Sequence, residues 1–261
     1  MNPIVLQLGG LELHAFTVWI GLGALLCAAL IVWRGRAQPI PHLDVVVAAA
    51  LCGVIGARAE HVALNWAYFS EHIGEVWSLS SGGLNWHGAL IGCLFGAQAV
   101  AEWRRLDAAR LRDSLALCLP IGGIVTWAAC AEATCGYGIE VRTLADYPAW
   151  LAVESLDIYG VLAPRLNLPL IGAAYAGALG ILVLLLTWRR RLSGARLWLS
   201  VALYALGMAL ISGFRAEYVP YWFGVRADQA LDAIVALWAA VLLWRALSRQ
   251  RKERLLADAS G

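Results

Sequence analysis

The chain has 261 residues, of which 61% are hydrophobic and only 15% charged. A soluble domain of this length carries charge on about a quarter of its residues. The apolar excess lies in long runs and gives a mean hydropathy of +0.69, which excludes an ordinary water-soluble globule and points to lipid. The net charge of +2 says little by itself; its placement says more.

No basic stretch precedes the first apolar run and no small-residue cleavage site follows it. No cleaved signal peptide is expected, and the first helix is read as a retained span. A membrane-crossing helix needs about 20 mostly apolar residues. Seven candidate spans follow, at 15–33, 43–65, 87–103, 114–131, 170–188, 197–214 and 229–247. The third and fourth are short and contain glycine, so they are expected to be tilted or interrupted beside protein or a cavity. Basic residues sort by side. Arg34 and Arg36 follow the first span, Arg104, Arg105, Arg110 and Arg112 the third, Arg189, Arg190, Arg191 and Arg196 the fifth, and Arg245, Arg249, Arg251, Lys252 and Arg254 the seventh. The other face has only Arg142, Arg165, Arg215 and Arg226. Basic residues mark the cytoplasmic side, which puts the N-terminus outside and the C-terminus inside. The expectation is an all-α membrane protein, one polytopic inner-membrane domain over 1–261. It has an extracytoplasmic loop or cap at 136–169 and a basic cytoplasmic tail at 245–261. The apolar stretch 148–153 of that loop suits the membrane interface. No internal repeat suggests a transporter.

Four of the six cysteines, Cys27, Cys52, Cys93 and Cys118, lie in apolar runs and are expected to pack as small hydrophobes. Cys130 and Cys135 are read the same way, as unpaired packing residues; their shared outer position leaves a disulfide as the alternative. No Cys/His cluster has metal-ligand spacing, and no GxGxxG, P-loop or HExxH is present, so neither metal nor soluble cofactor is expected. The basic residues form short anchors rather than a docking surface, so no nucleic-acid partner is expected.

Ionisable residues within a bilayer are costly and mark functional sites, and here they gather at one leaflet. Arg58, Glu60 and His61 sit in the outer part of the second span, with Arg58 and His61 on one helix face. His87 opens the third span after the turn Ser81-Gly82-Gly83-Leu84-Asn85. Glu132 ends the fourth; Arg215, Glu217 and Arg226 flank the outer loop between the sixth and seventh; Gln229 begins the seventh. Arginine holds a phosphate diester through its planar fork of donors, and histidine moves a proton near neutral pH. The set suits nucleophilic displacement at a lipid headgroup. The competing reading makes Arg58–Glu60 and Arg215–Glu217 structural ion pairs and His61 a packing residue. Glu60 and His61 are assigned to packing, His87 and Arg58 to function.

Several of these segments resemble the bacterial prolipoprotein diacylglyceryl transferase family. Gly53-Val54-Ile55-Gly56-Ala57-Arg58 is similar to its Gly-Ala-Arg stretch, and Gly82-Gly83-Leu84-Asn85-Trp86-His87-Gly88-Ala89-Leu90-Ile91-Gly92 to its histidine motif. Leu119-Pro120-Ile121-Gly122, Phe214-Arg215 and Gln229 fit further landmarks in order and spacing. The resemblance implies an enzyme that moves diacylglyceryl from phosphatidylglycerol to the lipobox cysteine of a prolipoprotein, at the outer leaflet and among membrane lipids. His87 and Arg215 would be catalytic. Arg58, Gly88, Glu132, Tyr137, Gly138, Arg226 and Gln229 would bind substrate. Small residues at Gly88 and Gly92 would let backbone or lipid approach closely. Departures are also plain: Trp127 stands at the family's signature arginine, Cys130 at its asparagine and Cys135 at its glutamate, while Met208 and Ser212 replace an arginine and a glutamate of the sixth span. They define the alternative, a catalytically silent relative of the same fold that binds lipid or lipoprotein.

Overall fold

A computed structural model describes residues 4–8, 11–79 and 82–259. Ser81, the first residue of the turn before His87, and the end of the tail at 260–261 lie outside them. The chain opens with an antiparallel hairpin, β1 (Ile4–Leu8) and β2 (Leu11–His14), leading into α1 (Ala15–Arg34). Then come α2 (Pro39–Leu64), a single turn α3 (Trp66–Phe69), α4 (Trp86–Trp103) and α5 (Ala108–Ala133). A second hairpin, β3 (Ala152–Leu156) and β4 (Leu162–Leu166), precedes α6 (Leu168–Trp188) and α7 (Arg196–Ser212). A short ribbon, β5 (Tyr221–Trp222) and β6 (Val225–Arg226), leads into α8 (Ala227–Ala259).

Helix ends follow local chemistry. Asp107 caps α5 by accepting from Ala109 N at 2.9 Å and Arg110 N at 3.1 Å. Thr134, left-handed at φ 55°, ends it. Asn167 caps α6, with proline in its first turn. Each of the seven expected spans corresponds to a helix. Five of them, α1, α2, α5, α6 and the 227–253 part of α8, are long and apolar enough to cross a membrane. α4 has 18 residues and α7 17, and neither reaches that standard. The protein is a mostly helical, multi-pass membrane protein.

Large apolar side chains face outward along the helices, as at Leu25 (69% exposed), Phe95 (70%) and Leu237 (69%), where lipid rather than water must cover them. The main core lies among α5, α6, α7 and α8, around Leu117, Leu179, Val201 and Met208. A second lies among α1, α2, α4 and α5, around Ile31, Val45 and Ala97. Small residues set the α2–α4 seam. A Cβ on Gly88 would lie 2.2 Å from the Gly56 carbonyl oxygen, one on Gly92 2.0 Å from that of Cys52, and one on Gly96 2.5 Å from that of Ala48. The two backbones therefore touch along a little over two turns, as small-residue motifs allow. The expected close approach at Gly88 and Gly92 is present.

Two expectations gain detail and one is corrected. The chain is mostly helical, as expected, with three two-stranded hairpins beside the helices among the described residues. The 136–169 segment, expected as a loop or cap, has ordered pairing of its own: Glu140 bridges Arg165, and Val141 N donates to Pro164 O at 2.8 Å, which lays 138–141 against β4. Its tip is shaped by Asp157, whose Oδ1 accepts from Tyr159 N at 2.8 Å and Val161 N at 2.9 Å, with Gly160 at φ 79°. Stretch 148–153 accordingly runs into β3. Cys130 and Cys135 form a disulfide with Cα atoms 4.5 Å apart, against the unpaired reading. The left-handed Thr134 turns the chain so that Cys135 N donates to Cys130 O at 3.1 Å and the side chains meet.

Candidate active site at one end of the bundle

The site begins with the first turn of α4. The glycine seam presses that turn against the C-terminal part of α2, where the polar groups meet one another. His87 Nδ1 lies 2.9 Å from Glu60 Oε1 on α2, and its Nε2 lies 2.8 Å from Asp232 Oδ1 on α8. Glu60 Oε2 accepts from Gly88 N at 2.5 Å, which serves an otherwise unpaired donor of the helix N-terminus. Asp232 Oδ2 accepts from the Ser212 hydroxyl at 3.2 Å. His87 and Asp232 are buried. Trp86 covers the imidazole with ring centroids 4.3 Å apart, and Tyr204 meets Trp86 edge-on at 5.2 Å.

The Arg58–Glu60 ion pair of the competing reading is absent. Residues two apart point to different sides of a helix: Glu60 turns to α4, whereas Arg58 turns to the segment between α3 and α4. Arg58 Nε donates to Val76 O at 2.7 Å, and its terminal nitrogens donate to Glu75 O at 2.7 Å, Gly82 O at 2.6 Å and Gly83 O at 3.3 Å. The guanidinium is buried and lies 5.1 Å from the Phe69 ring centroid. His61 also packs edge-on against Phe69, at 5.9 Å.

A second polar group lies one turn along α8. Arg226 makes a bidentate pair with Asp228, at 3.1 and 3.0 Å, and donates to the carbonyls of Arg215 at 3.1 Å and Glu217 at 3.2 Å. Burial opposes its charge, but the Asp228 carboxylate outweighs burial and holds the guanidinium above its ordinary pKa. Arg215 pairs closely with Glu217, the contact named by the competing reading, and lies 3.8 Å from Asp228. Glu217 also accepts from Gly136 N at 2.6 Å, beside the disulfide. Gly138 bridges Arg215, and Tyr137 O accepts from Ala216 N at 3.1 Å. Burial, then Glu217 and Asp157, raise the Tyr137 phenol above its usual range. Gln229 donates to Ala209 O at 3.1 Å.

Of the residues expected to act, His87 and Gly88 share the first cluster, and Arg215, Arg226, Tyr137 and Gly138 the second. Arg58 and Gln229 bond to backbone. Glu132 stands apart, exposed on a cavity of about 520 Å³ beneath the β3–β4 hairpin, lined also by Cys130, Cys135, Glu154 and Leu162. None of the His87 cluster lines that cavity. Asp228 and Asp232 were not read from sequence. The usable signal was a pair of carboxylates one helical turn apart at the start of an apolar span. Trp127, in the signature arginine's place, is buried; a Cβ on Gly172 would lie 2.2 Å from its ring, and its indole N–H has no hydrogen-bond partner among the described residues.

This is a membrane protein with a buried histidine, flanked by two carboxylates, at one end of the helix bundle. The chain belongs to the prolipoprotein diacylglyceryl transferase family, whose model matches residues 3–245. A phosphatidylglycerol–prolipoprotein diacylglyceryl transferase of Bacillus licheniformis is 29% identical over 93% of this chain and 92% of its own length. The protein of that name from Shouchella clausii is 30% identical over 94% and 89%, and that from Clostridium novyi 25% identical over 93% and 95%.

Proposed function

We propose that this chain transfers the diacylglyceryl group of phosphatidylglycerol to the lipobox cysteine thiol of a prolipoprotein, at the outer leaflet of a bacterial inner membrane. The observation that carries the reading is His87, held between Glu60 and Asp232 on the glycine-packed first turn of α4, in a chain matched by the family over nearly its whole length. The thiol sulfur attacks the glyceryl carbon bonded to the phosphate oxygen. An S–C bond forms, the C–O bond breaks, and glycerol phosphate leaves with the electron pair. The thiol proton passes to the His87 cluster, because the thiolate is the reactive species. Arg215, the half-buried guanidinium at this end, steadies the departing phosphate, with Arg226 behind it. Arg58 contributes through the outer segment 75–83, and Gly88, Tyr137, Gly138 and Gln229 shape the backbone around the lipid. Glu132 lies where the acceptor peptide would pass. All seven long helices cross the bilayer in this reading, with the N-terminus outside.

The test uses purified full-length protein, phosphatidylglycerol liposomes and a synthetic lipobox peptide, followed by mass spectrometry. A diacylglyceryl mass gain that disappears in His87→Ala is the expected result. Equal gain in His87→Ala removes His87 from the chemistry.

Trp127 favours a second reading, a silent relative that binds lipid or lipoprotein without turnover. An indole packed against Gly172 supplies no positive charge where the family resemblance places an arginine. Co-purified phosphatidylglycerol with no modified peptide, while an active relative works in parallel, would establish that reading.

A further inference from the structure

Each ring nitrogen of His87 faces a carboxylate oxygen, at 2.9 Å for Glu60 and 2.8 Å for Asp232. A neutral imidazole has one N–H and one lone pair. It can donate to one ionised carboxylate, but its lone pair would then face the other. With both carboxylates ionised, only the doubly protonated ring satisfies both contacts.

The two carboxylates are not equivalent. Asp232 is fully buried, at 0% exposure, and its second oxygen is taken by Ser212. The Glu60 side chain keeps 14% exposure at the outer part of α2. Three elements besides α4 supply the polar groups around the ring: Glu60 from α2, Asp232 from α8, and Ser212 and Tyr204 from α7, Tyr204 reaching it through Trp86. The Asp232 edge is closed and the Glu60 edge is the outlet.

We propose that Asp232 is the positioning residue of this site, fixing the Nε2 proton of His87 so that the ring communicates with substrate only through its Nδ1 edge and Glu60. This rests on the transferase reading of His87. The incoming thiol proton then settles on the Glu60–His87 pair and returns to water there, while the C–O electron pair leaves with glycerol phosphate. A buried carboxylate behind a histidine fixes ring orientation and tautomer without touching substrate, the logic of catalytic triads. Asp232 occupies that place here, with Ser212 locking its rotation.

The test compares Asp232→Asn, Asp232→Glu and Ser212→Ala in the full-length protein in lipid nanodiscs. Nitrogen NMR of ¹⁵N-histidine protein, with His87→Gln to assign the signal, reads the ring directly. Wild type is expected to carry protons on both ring nitrogens at neutral pH. Asp232→Asn should leave one proton, on Nδ1, and lower kcat by at least about 10²-fold with KM for phosphatidylglycerol within about twofold. Asp232→Glu should recover part of the loss, and Ser212→Ala should lower kcat by a smaller factor at the same KM. An unchanged ring signal and unchanged kcat in Asp232→Asn overturn the assignment. If Asp232→Asn does not fold, Ser212→Ala decides: wild-type kcat and ring signal there overturn it. A wild type that transfers nothing sinks the transferase reading instead, and the ring signal still decides whether Asp232 holds His87.

Discussion

Arg58 and Glu60 divide their work by helix geometry. Arg58 spends its guanidinium on four carbonyl oxygens of one outer segment, so its first duty is to hold that segment over the α2–α4 junction. Arg58→Met would leave those carbonyls without a donor. Hydrogen bonds to a charged group are worth about 1.5–3 kcal/mol each and do not add fully. A loss of at least about 3 kcal/mol is expected, seen as a lower melting temperature in detergent and faster proteolysis between Ser70 and Asn85. Arg58→Lys should fall between, because an ammonium has three donors and no fork. Wild-type melting of Arg58→Met would mean the staple is redundant. The places of Arg58 and His87 were legible in the sequence, since each breaks an apolar run beside glycines. Their partners were not. Glu60 is assigned by the face of α2 it occupies, and Asp232 comes from a helix 145 residues away that only the packing of α7 and α8 brings to His87.

Helices α2 and α4 meet through backbone, and the seam sets the register that places Glu60 on Gly88 N. Gly88→Ala and Gly56→Ala would drive a methyl into a facing carbonyl, so the helices must separate. Overpacking costs about 1–3 kcal/mol, and transfer activity should fall further than stability because the Glu60–His87 contact opens with the seam. Gly177→Ala on α6 is the control: a Cβ there meets nothing within 4 Å, so both melting and activity should hold. Equal behaviour of Gly88→Ala and Gly177→Ala would refute the seam. The glycines of this seam announce themselves in sequence, whereas the β3–β4 hairpin does not. Its turn depends on Asp157 accepting two backbone N–H groups and on Gly160, a signal shared by many loops. The Cys130–Cys135 bridge was likewise hidden, because spacing alone cannot say that Thr134 turns left-handed between them. Closing so short a loop contributes about 2 kcal/mol. Intact-mass analysis after alkylation under denaturing conditions should find four reactive thiols before reduction and six after; six before reduction would exclude the bridge.

At the scale of the molecule, charge and chemistry occupy opposite ends. Asp113 gathers the arginine-rich end: Arg196 reaches its carboxylate at 3.0 Å, Gly194 N at 2.8 Å, and Arg34 its carbonyl at 3.0 Å. Arg104 pairs with Asp44 at the same end, and Gln250 of α8 donates to Ser193 O. The opposite end carries His87, the paired Arg215 and Arg226, the disulfide and the β3–β4 cap. Lysine and arginine excess is retained on the cytoplasmic side, and disulfides persist in oxidising compartments. Two independent features therefore support the same proposed orientation, with the His87 end outside. Tyr159→Cys at the exposed tip of the cap and Lys252→Cys on the exposed basic part of α8 test it. A membrane-impermeant maleimide added to intact spheroplasts should label Tyr159→Cys and spare Lys252→Cys, and lysis should expose Lys252→Cys. The opposite pattern would put the site on the cytoplasmic side, away from any secreted acceptor, and would overturn the outer-leaflet reaction together with the topology. Labelling of both sites before lysis would point to a tail that does not stay inside, and with it to an even number of crossings.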